Sequence, residues 1–417
     1  MPLPTATKRI LFLSYDGMTD ALGQSQVLPY LCGLSNLGFA FTIISFEKAD
    51  KFEQNRTYIA ALCEQYHIDW IPLSYTKRPP VFSTVYDLAR AYRLAKKLHR
   101  QMPFSLVHCR SYVMSLVGLR MKRKLGVEFV FDMRGFWADE RVDGGLWNLK
   151  NPLYQVIYRY FKHQERCFLE ESCRSICHTH RAVAEMQTWK NLHRDKVRFE
   201  IIPCCADLEL FNPKTISETR KNEQRATLGI GANDFVLTYV GSLGTWYMLH
   251  EMLDFFEVLQ TRIPDAKMLF VNGNRSEQAL IRTETEKRGI SPNVVITQSP
   301  YTKMPLHIAI SSWAIFFITP SYSKMASSPV KQGEIMAMGI PVFCNSGVGD
   351  TDSIVQQANA GIVVEGFTKA HYQAAIEAAF NMKKPHDAST IRAGAVQFFS
   401  LQKGILQYAS VYQSVLT

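Results

Sequence analysis

The sequence predicts an α/β protein built from two doubly wound parallel sheets, on three observations. Apolar runs of strand length alternate with stretches of helical periodicity through most of the chain. The runs are apolar on both faces, as strands must be when helices cover both sides of a parallel sheet. The alternation starts afresh near residue 235, after a polar and irregular segment over 205–234. A chain of 417 residues, 47% of them hydrophobic, is too long for one core and ample for two.

The elements of the first half follow in order. "RILFLS" reads as the first strand, and "QVLPYLCGLSNLG" as a helix stopped by Gly38. "AFTIISFE" is a strand, "TYIAALCEQYH" a helix, "DWIPLS" a strand and "VYDLARAYRLAKKLHRQM" a helix. "SLVHCRS", "YVMSLVGLRMKRKLG" and "EFVFDMR" continue as strand, helix and strand. The helix "YQVIYRYFKHQERCFLEES" precedes the strands "SICHTH" and "RFEIIPCC". After the linker the second half runs "FVLTYVGSLG", "YMLHEMLDFFEVLQTR", "AKMLFVNGN", "SEQALIRTETEKRG", "NVVITQSP", "MPLHIAISS", "WAIFFITPS", a helix within 329–338 and "PVFCNS". The closing "AVQFFSLQKGILQYASVYQSVL" reads as an amphipathic helix pair with no following strand.

The formal net charge of +10 suits nucleic acid, an anionic membrane surface or an anionic substrate. No basic low-complexity arm and no nucleic-acid motif is present, which argues against nucleic acid. On the stretch 81–100, Val81, Val85, Leu88, Tyr92 and Ala95 line one face, and Arg90, Arg93, Lys97 and Arg100 another. That pattern fits either a solvated face on a packed helix or docking on an anionic membrane surface. The amino-terminal run "ILFLSY" is too short for a signal segment, and no window reaches the roughly 18 apolar residues of a membrane span. The expected location is therefore cytoplasmic, with peripheral attachment to the inner membrane face through the basic helix. Nine cysteines without paired spacing argue for reduced thiols. Cys167, Cys173, Cys177, His178 and His180 cluster, but without the two short-spaced ligand pairs of a zinc site, so core positions are the better reading and no metal is expected.

In open parallel sheets, ligands sit beyond the carboxyl ends of the strands, so the loops after strands are the functional candidates. The loop 15–26 is long and places Gly23 just ahead of a helix expected to begin near Ser25. The loop 131–147 mixes Asp132, Arg134, Asp139, Glu140, Arg141 and Asp143 with Phe136, Trp137 and Trp147. Aromatic faces beside carboxylates and arginine suit a sugar. "GSLGTWY" over 241–247 has Gly241 and Gly244 for close backbone approach, but is neither a dinucleotide nor a P-loop signature. "NGNRSE" and "QSPYTKMP" offer Asn272, Gly273 and backbone groups to a base or ribose, or are plain turns.

The most specific stretch is "ASSPVKQGEIMAMG", residues 326–339. Ser327 and Ser328 supply hydroxyls, and helix-start amides after Pro329 carry partial positive charge. Lys331 adds a full charge, and together these describe a diphosphate cradle. Glu334 lies one turn on, on the face of Val330 and Lys331, where a carboxylate can accept from two vicinal hydroxyls, as on a ribose.

"SSPVKQGEIMAMGIPVFCN" resembles the nucleotide-sugar motif of retaining glycosyltransferases of the GT-B fold, family 4 type. "IIPCCADLELFNP", "YVGSLGTWYMLHEMLDFF" and "SYDGMTDALGQSQVLPYL" are similar to segments of bacterial members that build surface polysaccharides. The resemblance implies two Rossmann-like domains facing across a cleft: residues 1–208 for the acceptor, 209–395 for the nucleotide sugar, and a helix over 396–417 returning to the first. It implies a UDP- or GDP-sugar as co-substrate, no further cofactor, and transfer with retention to a saccharide or lipid-linked acceptor. Donor contacts then fall to Gly241, Ser242, Asn272, Gly273, Ser327, Ser328, Val330, Lys331 and Glu334. Acceptor contacts fall to Gly23, Gln24, Arg110 and Trp137.

Three departures from the family pattern stand out. Glu334 matches the second of a glutamate pair eight positions apart, but Ala326 stands where the first belongs. Ser242 follows the glycine of the 241–247 loop with no basic residue nearby, so Lys331, with Lys324, is the expected substitute. "DMRGFW" lacks the catalytic histidine common in relatives, and Asp132 and Arg134 take the catalytic assignment. Two neighbouring readings stay open: a nucleotide-sugar 2-epimerase of the same fold, and a catalytically silent nucleotide-binding homologue, which Ala326 motivates.

Overall fold

The computed structural model describes residues 8–381 and 386–416. It divides into two compact units: the chain to Pro203 with the segment from Leu401, and Cys204–Ser400. The breaks lie a few residues from 208/209 and 395/396. Ala206 pairs with Ser400, and its amide donates to Phe399 O at 2.8 Å, which draws both flanks into the second unit.

Unit one holds a seven-stranded sheet of β1 (Arg9–Ser14), β2 (Ala40–Glu47), β3 (Asp69–Ser74), β4 (Leu106–Arg110), β5 (Phe129–Asp132), β6 (Arg174–Cys177) and β7 (Phe199–Ile201), in the order β3-β2-β1-β4-β5-β6-β7. Every pair is parallel. The central strands are buried along their whole length because helices cover both faces. Those helices are α1 (Ala21–Gln26), α2 (Leu28–Asn36), α3 (Ala49–Gln65), α4 (Phe82–Gln101), α5 (Ser111–Leu125), α6 (Trp137–Asp143), α7 (Pro152–Glu171) and α8 (His180–Gln187).

Unit two begins with α9 (Glu218–Thr227) and holds a six-stranded parallel sheet of β8 (Val236–Val240), β9 (Lys267–Val271), β10 (Val294–Thr297), β11 (Trp313–Phe316), β12 (Val342–Asn345) and β13 (Gly361–Val364). Its order is β10-β9-β8-β11-β12-β13. The covering helices are α10 (Leu249–Gln260), α11 (Arg275–Lys287), α12 (Met304–Ala309), α13 (Val330–Ala337), α14 (Thr351–Gln357), α15 (Lys369–Phe380) and α16 (Ala388–Phe398). The last helix, α17 (Leu401–Leu416), belongs to unit one, where Tyr408 packs on Tyr30 and Tyr412 on Phe39.

Each sheet reverses its winding once, between β1 and β4 in unit one and between β8 and β11 in unit two. The carboxyl ends of those strands frame the crevices where ligands bind in such sheets.

Two local expectations are corrected. The segment 131–147 is not all loop, since α6 occupies its middle. The apolar face of α4 is also only partly the inward one: Ala95 is buried with Ser83, Asp87 and Ala91, whereas Val81 and Val85 are exposed. Asp87 sets the rotation. Its carboxylate accepts from Tyr15 Oη at 3.2 Å, Thr76 N at 3.1 Å and Thr76 Oγ1 at 2.8 Å, which satisfies a charge that could not otherwise be buried. Phe82, Val85 and Tyr86 are left facing solvent at the amino end of α4.

Candidate functional site

In unit two, β8 is followed directly by Gly241, whose φ of +95° is a left-handed value open to glycine at little cost. A Cβ there would lie 3.5 Å from Lys331 Nζ, so the missing side chain leaves the lysine facing the turn. Lys331 is carried in on the first turn of α13 and is buried. Its Nζ has no hydrogen-bond partner and sits 4.0 Å from the ring centre of Tyr239 and 3.5 Å from that of Tyr247. Burial pushes its ammonium well below the ordinary lysine range, more than Glu334 and Glu277 restore.

Glu334, one turn on, is also buried. Burial raises its carboxyl to about 7, although the Tyr301 hydroxyl and Lys331 both favour the charged form. Tyr301 Oη donates to Glu334 Oε1 at 2.8 Å. The two groups form a site that is poor in charge when empty and that a polyanion bearing hydroxyls would recharge.

The 241–247 turn is held from below. Glu277, in the first turn of α11, accepts from Leu243 N at 2.8 Å and Gly244 N at 3.0 Å. Asn272 Nδ2 donates to Glu277 Oε2 at 2.6 Å and to Gly241 O at 3.2 Å, and its Oδ1 accepts from Asn274 N at 2.7 Å. Asn272 thus braces the turn from a fully buried position, while a Cβ on Gly273 would meet open space. The Ser242 carbonyl accepts from Tyr239 Oη at 2.7 Å. Ser328 Oγ accepts from Cys204 N at 3.2 Å, Ser327 N donates to Lys324 O at 3.1 Å, and Val330 opens α13. Lys324 lies against the Trp246 ring at 3.8 Å. The nine donor-side residues therefore converge on one end of sheet two, with Asn272 and Ser328 engaged in fixing the frame.

In unit one, Arg110 and Asp132 end neighbouring strands and pair in register. The residues just after them, Ser111 and Arg134, have φ of 64° and 61°. Left-handed non-glycine residues cost energy and cluster at functional sites. Burial opposes the Asp132 charge, but Arg134, His108 and Arg110 outweigh it and hold the carboxyl below the ordinary range. Its Oδ2 lies 3.4 Å from His108 Nε2, 3.4 Å from Tyr408 Oη and 3.7 Å from Arg134 Nη1, while Oδ1 is buried without a partner. His108, kept neutral by burial, has Nδ1 2.6 Å from Tyr412 Oη. A ring protonated at Nε2 satisfies both neighbours. Arg110 Nε donates to Asp16 Oδ2 at 3.4 Å, across the switch point.

The other acceptor-side residues make contacts within unit one. Gly23 lies inside α1 rather than ahead of a helix. A Cβ on it would come within 2.3 Å of Gly17 O, so glycine is needed for α1 to lie on the 17–18 turn. Gln24 Nε2 donates to Thr19 O at 3.0 Å. The Trp137 ring is enclosed by Tyr112, Trp147, Phe161 and the Arg141 guanidinium. Asp139, read as a sugar ligand, instead accepts from Tyr158 Oη at 2.7 Å and Lys162 Nζ at 2.8 Å.

Five residues escaped the sequence reading: Glu277, Tyr301, Glu47, Tyr408 and Tyr412. Glu277 had a signal, as the third residue of a helix capped by Asn274. It reaches across to the neighbouring turn instead of back to the cap. Glu47 accepts from Met18 N at 2.8 Å, Thr19 N at 3.1 Å and Ser45 Oγ at 2.5 Å and so fixes the 15–20 loop. Nothing local marks it, because its donors are some 28 residues away or on its own strand.

Comparison with known proteins agrees with this layout. A model of Glycosyltransferase Family 4 matches residues 25–210, and one of Glycosyl transferases group 1 matches residues 220–395. The chain is similar in structure to the sucrose-phosphate synthase (tll1590) from Thermosynechococcus elongatus, at 16% identity, covering 98% of this chain and 99% of that one, with a TM-score of 0.72. It is similar to Anabaena Alr3699/HepE in complex with UDP, at 16% identity, 97% and 100% coverage and a TM-score of 0.71. A glycosyltransferase from Rickettsia africae ESF-5 gives 14% identity, 99% and 100% coverage and a TM-score of 0.70. No curated protein sequence matches significantly. At these identities the structural likeness establishes the fold.

Proposed function

Each half of the chain matches a glycosyltransferase family model, so the protein is a family 4-type glycosyltransferase with the GT-B fold, and from that premise we propose that it moves a sugar from a UDP- or GDP-sugar to a saccharide or lipid-linked saccharide with retention and without a metal ion. The observation that carries this reading is the buried, unpartnered Lys331 amine beside Gly241, one helical turn from Glu334. A diphosphate supplies the acceptor the amine lacks, and a ribose supplies hydroxyl donors for the carboxyl. The complex of Anabaena Alr3699/HepE with UDP-glucose supports a nucleotide sugar as partner.

In this reading the sugar–phosphate bond breaks as the acceptor oxygen bonds to the anomeric carbon. The departing diphosphate carries the developing charge and takes the acceptor's proton. Protonated Lys331 and the first amides of α13 stabilise that charge in place, which is electrostatic preorganisation. Asp132 and Arg134 act on the acceptor side.

The peripheral-membrane reading draws on the surface of unit one. Among the described residues no helix is long and apolar enough to cross a membrane. Phe82, Val85 and Tyr86 on α4 and Leu153, Val156 and Tyr160 on α7 are exposed in the amino-terminal halves of two helices that flank α5. Arg93, Lys97 and Arg100 are exposed further along α4. Apolar side chains beside cations suit an anionic lipid surface.

Calorimetry with UDP and GDP tests the core of the proposal. The wild type should bind one of them without added metal, and Lys331→Ala and Glu334→Ala should each lose that affinity. Unchanged affinity in both variants would remove the site. A panel of nucleotide sugars read by thermal shift then identifies the donor, because a ligand of the native state raises its stability.

A further inference from the structure

We infer that Tyr301 is the positioning residue that sets ribose recognition by Glu334, an inference that rests on the nucleotide-sugar reading above. Tyr301 stands at the carboxyl end of β10, in the single 3-10 turn over Tyr301–Lys303. Its ring packs edge-on against Phe211 with centres 5.6 Å apart, and it remains 38% exposed, so it forms part of the open rim rather than the core. Its hydroxyl donates to Glu334 Oε1 at 2.8 Å from a position 33 residues away in sequence.

That bond does two things. It fixes the carboxyl plane, since the terminal torsion of a glutamate is soft and the carboxyl would otherwise turn about it. It also takes one of the two acceptor positions of Oε1, so Oε2 is the oxygen that keeps its full capacity for an incoming hydroxyl. A carboxylate offering both oxygens could accept from the two vicinal hydroxyls of a ribose at once. One held at Oε1 grips chiefly a single hydroxyl, and discrimination between the two hydroxyls follows. The phenol donor also favours the charged, strongly accepting form of Glu334 against its burial. Without it burial holds the carboxyl higher still, and the neutral form accepts more weakly.

The test compares binding of the nucleoside diphosphate that the wild type prefers, UDP or GDP, with its 2′-deoxy and 3′-deoxy forms, in wild type and Tyr301→Phe. Phenylalanine keeps the ring on Phe211 and removes only the hydroxyl. In the wild type, one deoxy form should bind at least tenfold more weakly than the parent, and the other within threefold. In Tyr301→Phe the parent should weaken to near the worse deoxy form, so that the discrimination falls below threefold. A merely structural role would weaken all three nucleotides by the same factor and leave the ratios intact, which would overturn the inference, as would unchanged binding. Wild-type protein that binds neither UDP nor GDP removes the nucleotide-sugar reading itself and this inference with it. Wild-type protein that binds and discriminates, with Tyr301→Phe keeping the discrimination, removes this inference alone.

Discussion

Lys331 points its amine at the face of the Tyr247 ring, 3.5 Å from its centre, with no hydrogen-bond acceptor in reach. The ring offers a cation some attraction, but it cannot replace the water lost on burial. The arrangement therefore costs stability in the empty protein, and the first prediction turns on that cost. Lys331→Met keeps most of the volume and removes the unsatisfied amine. Thermal and chemical unfolding should show a gain of about 1–3 kcal/mol, the usual penalty of one orphaned buried polar group. Calorimetry on the same variant should show nucleotide affinity down by at least about tenfold, the loss expected for one charge-assisted contact. A variant that is destabilised and still binds would mean that the lysine is a packing residue.

The second prediction concerns protons. The groups facing Lys331 are Glu334 on its own helix, Glu277 from α11, and the phenols of Tyr239 and Tyr247. Both tyrosines are held above their ordinary range by burial and stay neutral at working pH. Burial depresses the lysine in the empty site, and a bound diphosphate restores its charge, so binding should take up a proton. The apparent affinity should then fall as pH rises toward the lysine's value in the complex. Calorimetry in two buffers of different ionisation enthalpy measures the uptake directly, and Lys331→Met should abolish it. Equal heats in both buffers would contradict the scheme.

The third prediction separates two glutamates by the sign of their linkage. Glu334 is raised from 4.5 to about 7 by burial, so the folded state binds its proton more tightly than the unfolded chain does. Its contribution is complete below about 4.5 and is lost as pH rises toward about 7. Glu277 is lowered: burial opposes its charge, but Asn272 and the amides of Gly244 and Leu243 prevail. Its contribution is present above the ordinary value and is lost as pH falls. Unfolding curves across pH 4 to 8 should therefore lose part of their high-pH decline in Glu334→Gln and part of their low-pH decline in Glu277→Gln. Glu277→Gln should in addition cost about 1–3 kcal/mol near neutrality, because an amide cannot serve both backbone donors. Faster hydrogen exchange at Leu243 and Gly244 would locate the loss.

How much of this was readable from sequence follows from the range of the interactions. The strands were legible because burial on both faces makes a run such as "RILFLS" apolar at four successive positions, Ile10 to Leu13. The helix α13 was legible because Ser-Ser-Pro marks its start, and the structure buries both Lys331 and Glu334 on it. The rotation of α4 was not, because Asp87 is drawn inward by Tyr15 and Thr76, which lie 72 and 11 residues before it in sequence. Tyr301 and Glu334 lie 33 residues apart, and no periodicity joins a turn tyrosine to a helix glutamate. Gly23 was misplaced because close packing and ligand approach ask for the same residue.

Ala326 leads to the fourth prediction. The position that relatives fill with a glutamate is 2% exposed here and closes a 3-10 turn over Ser323–Ala326. At that burial a longer side chain would have to displace its neighbours, and a carboxylate would be taken out of water. Ala326→Glu should therefore destabilise the protein by about 2 kcal/mol or more rather than restore a family contact. Denaturant unfolding measures the first outcome, and thermal shift with the preferred nucleotide sugar tests the second. A variant that folds normally and binds the donor more tightly would show that the chain retains a vacant carboxylate position.

The fifth prediction concerns the surface of unit one. Phe82 is 75% exposed, Val85 60% and Val156 63%, more than isolated surface residues of their size need explain when they gather in the amino-terminal halves of helices flanking one neighbour. With Arg93, Lys97 and Arg100 exposed on α4, the surface pairs apolar side chains with positive charge. Sedimentation with vesicles should show binding that needs anionic lipid and weakens as salt shortens the screening length. Replacing the three cations with glutamine should lower binding on the order of a hundredfold, from about 1 kcal/mol per basic residue near the surface. Phe82→Ser with Val85→Ser should weaken binding and leave its salt dependence in place, because those side chains contribute area and not charge. Activity on a soluble acceptor should be unchanged in both variants, since none of these residues belongs to either candidate site. Equal binding to zwitterionic and anionic vesicles, or none to either, would leave the basic face of α4 as an ordinary solvated surface.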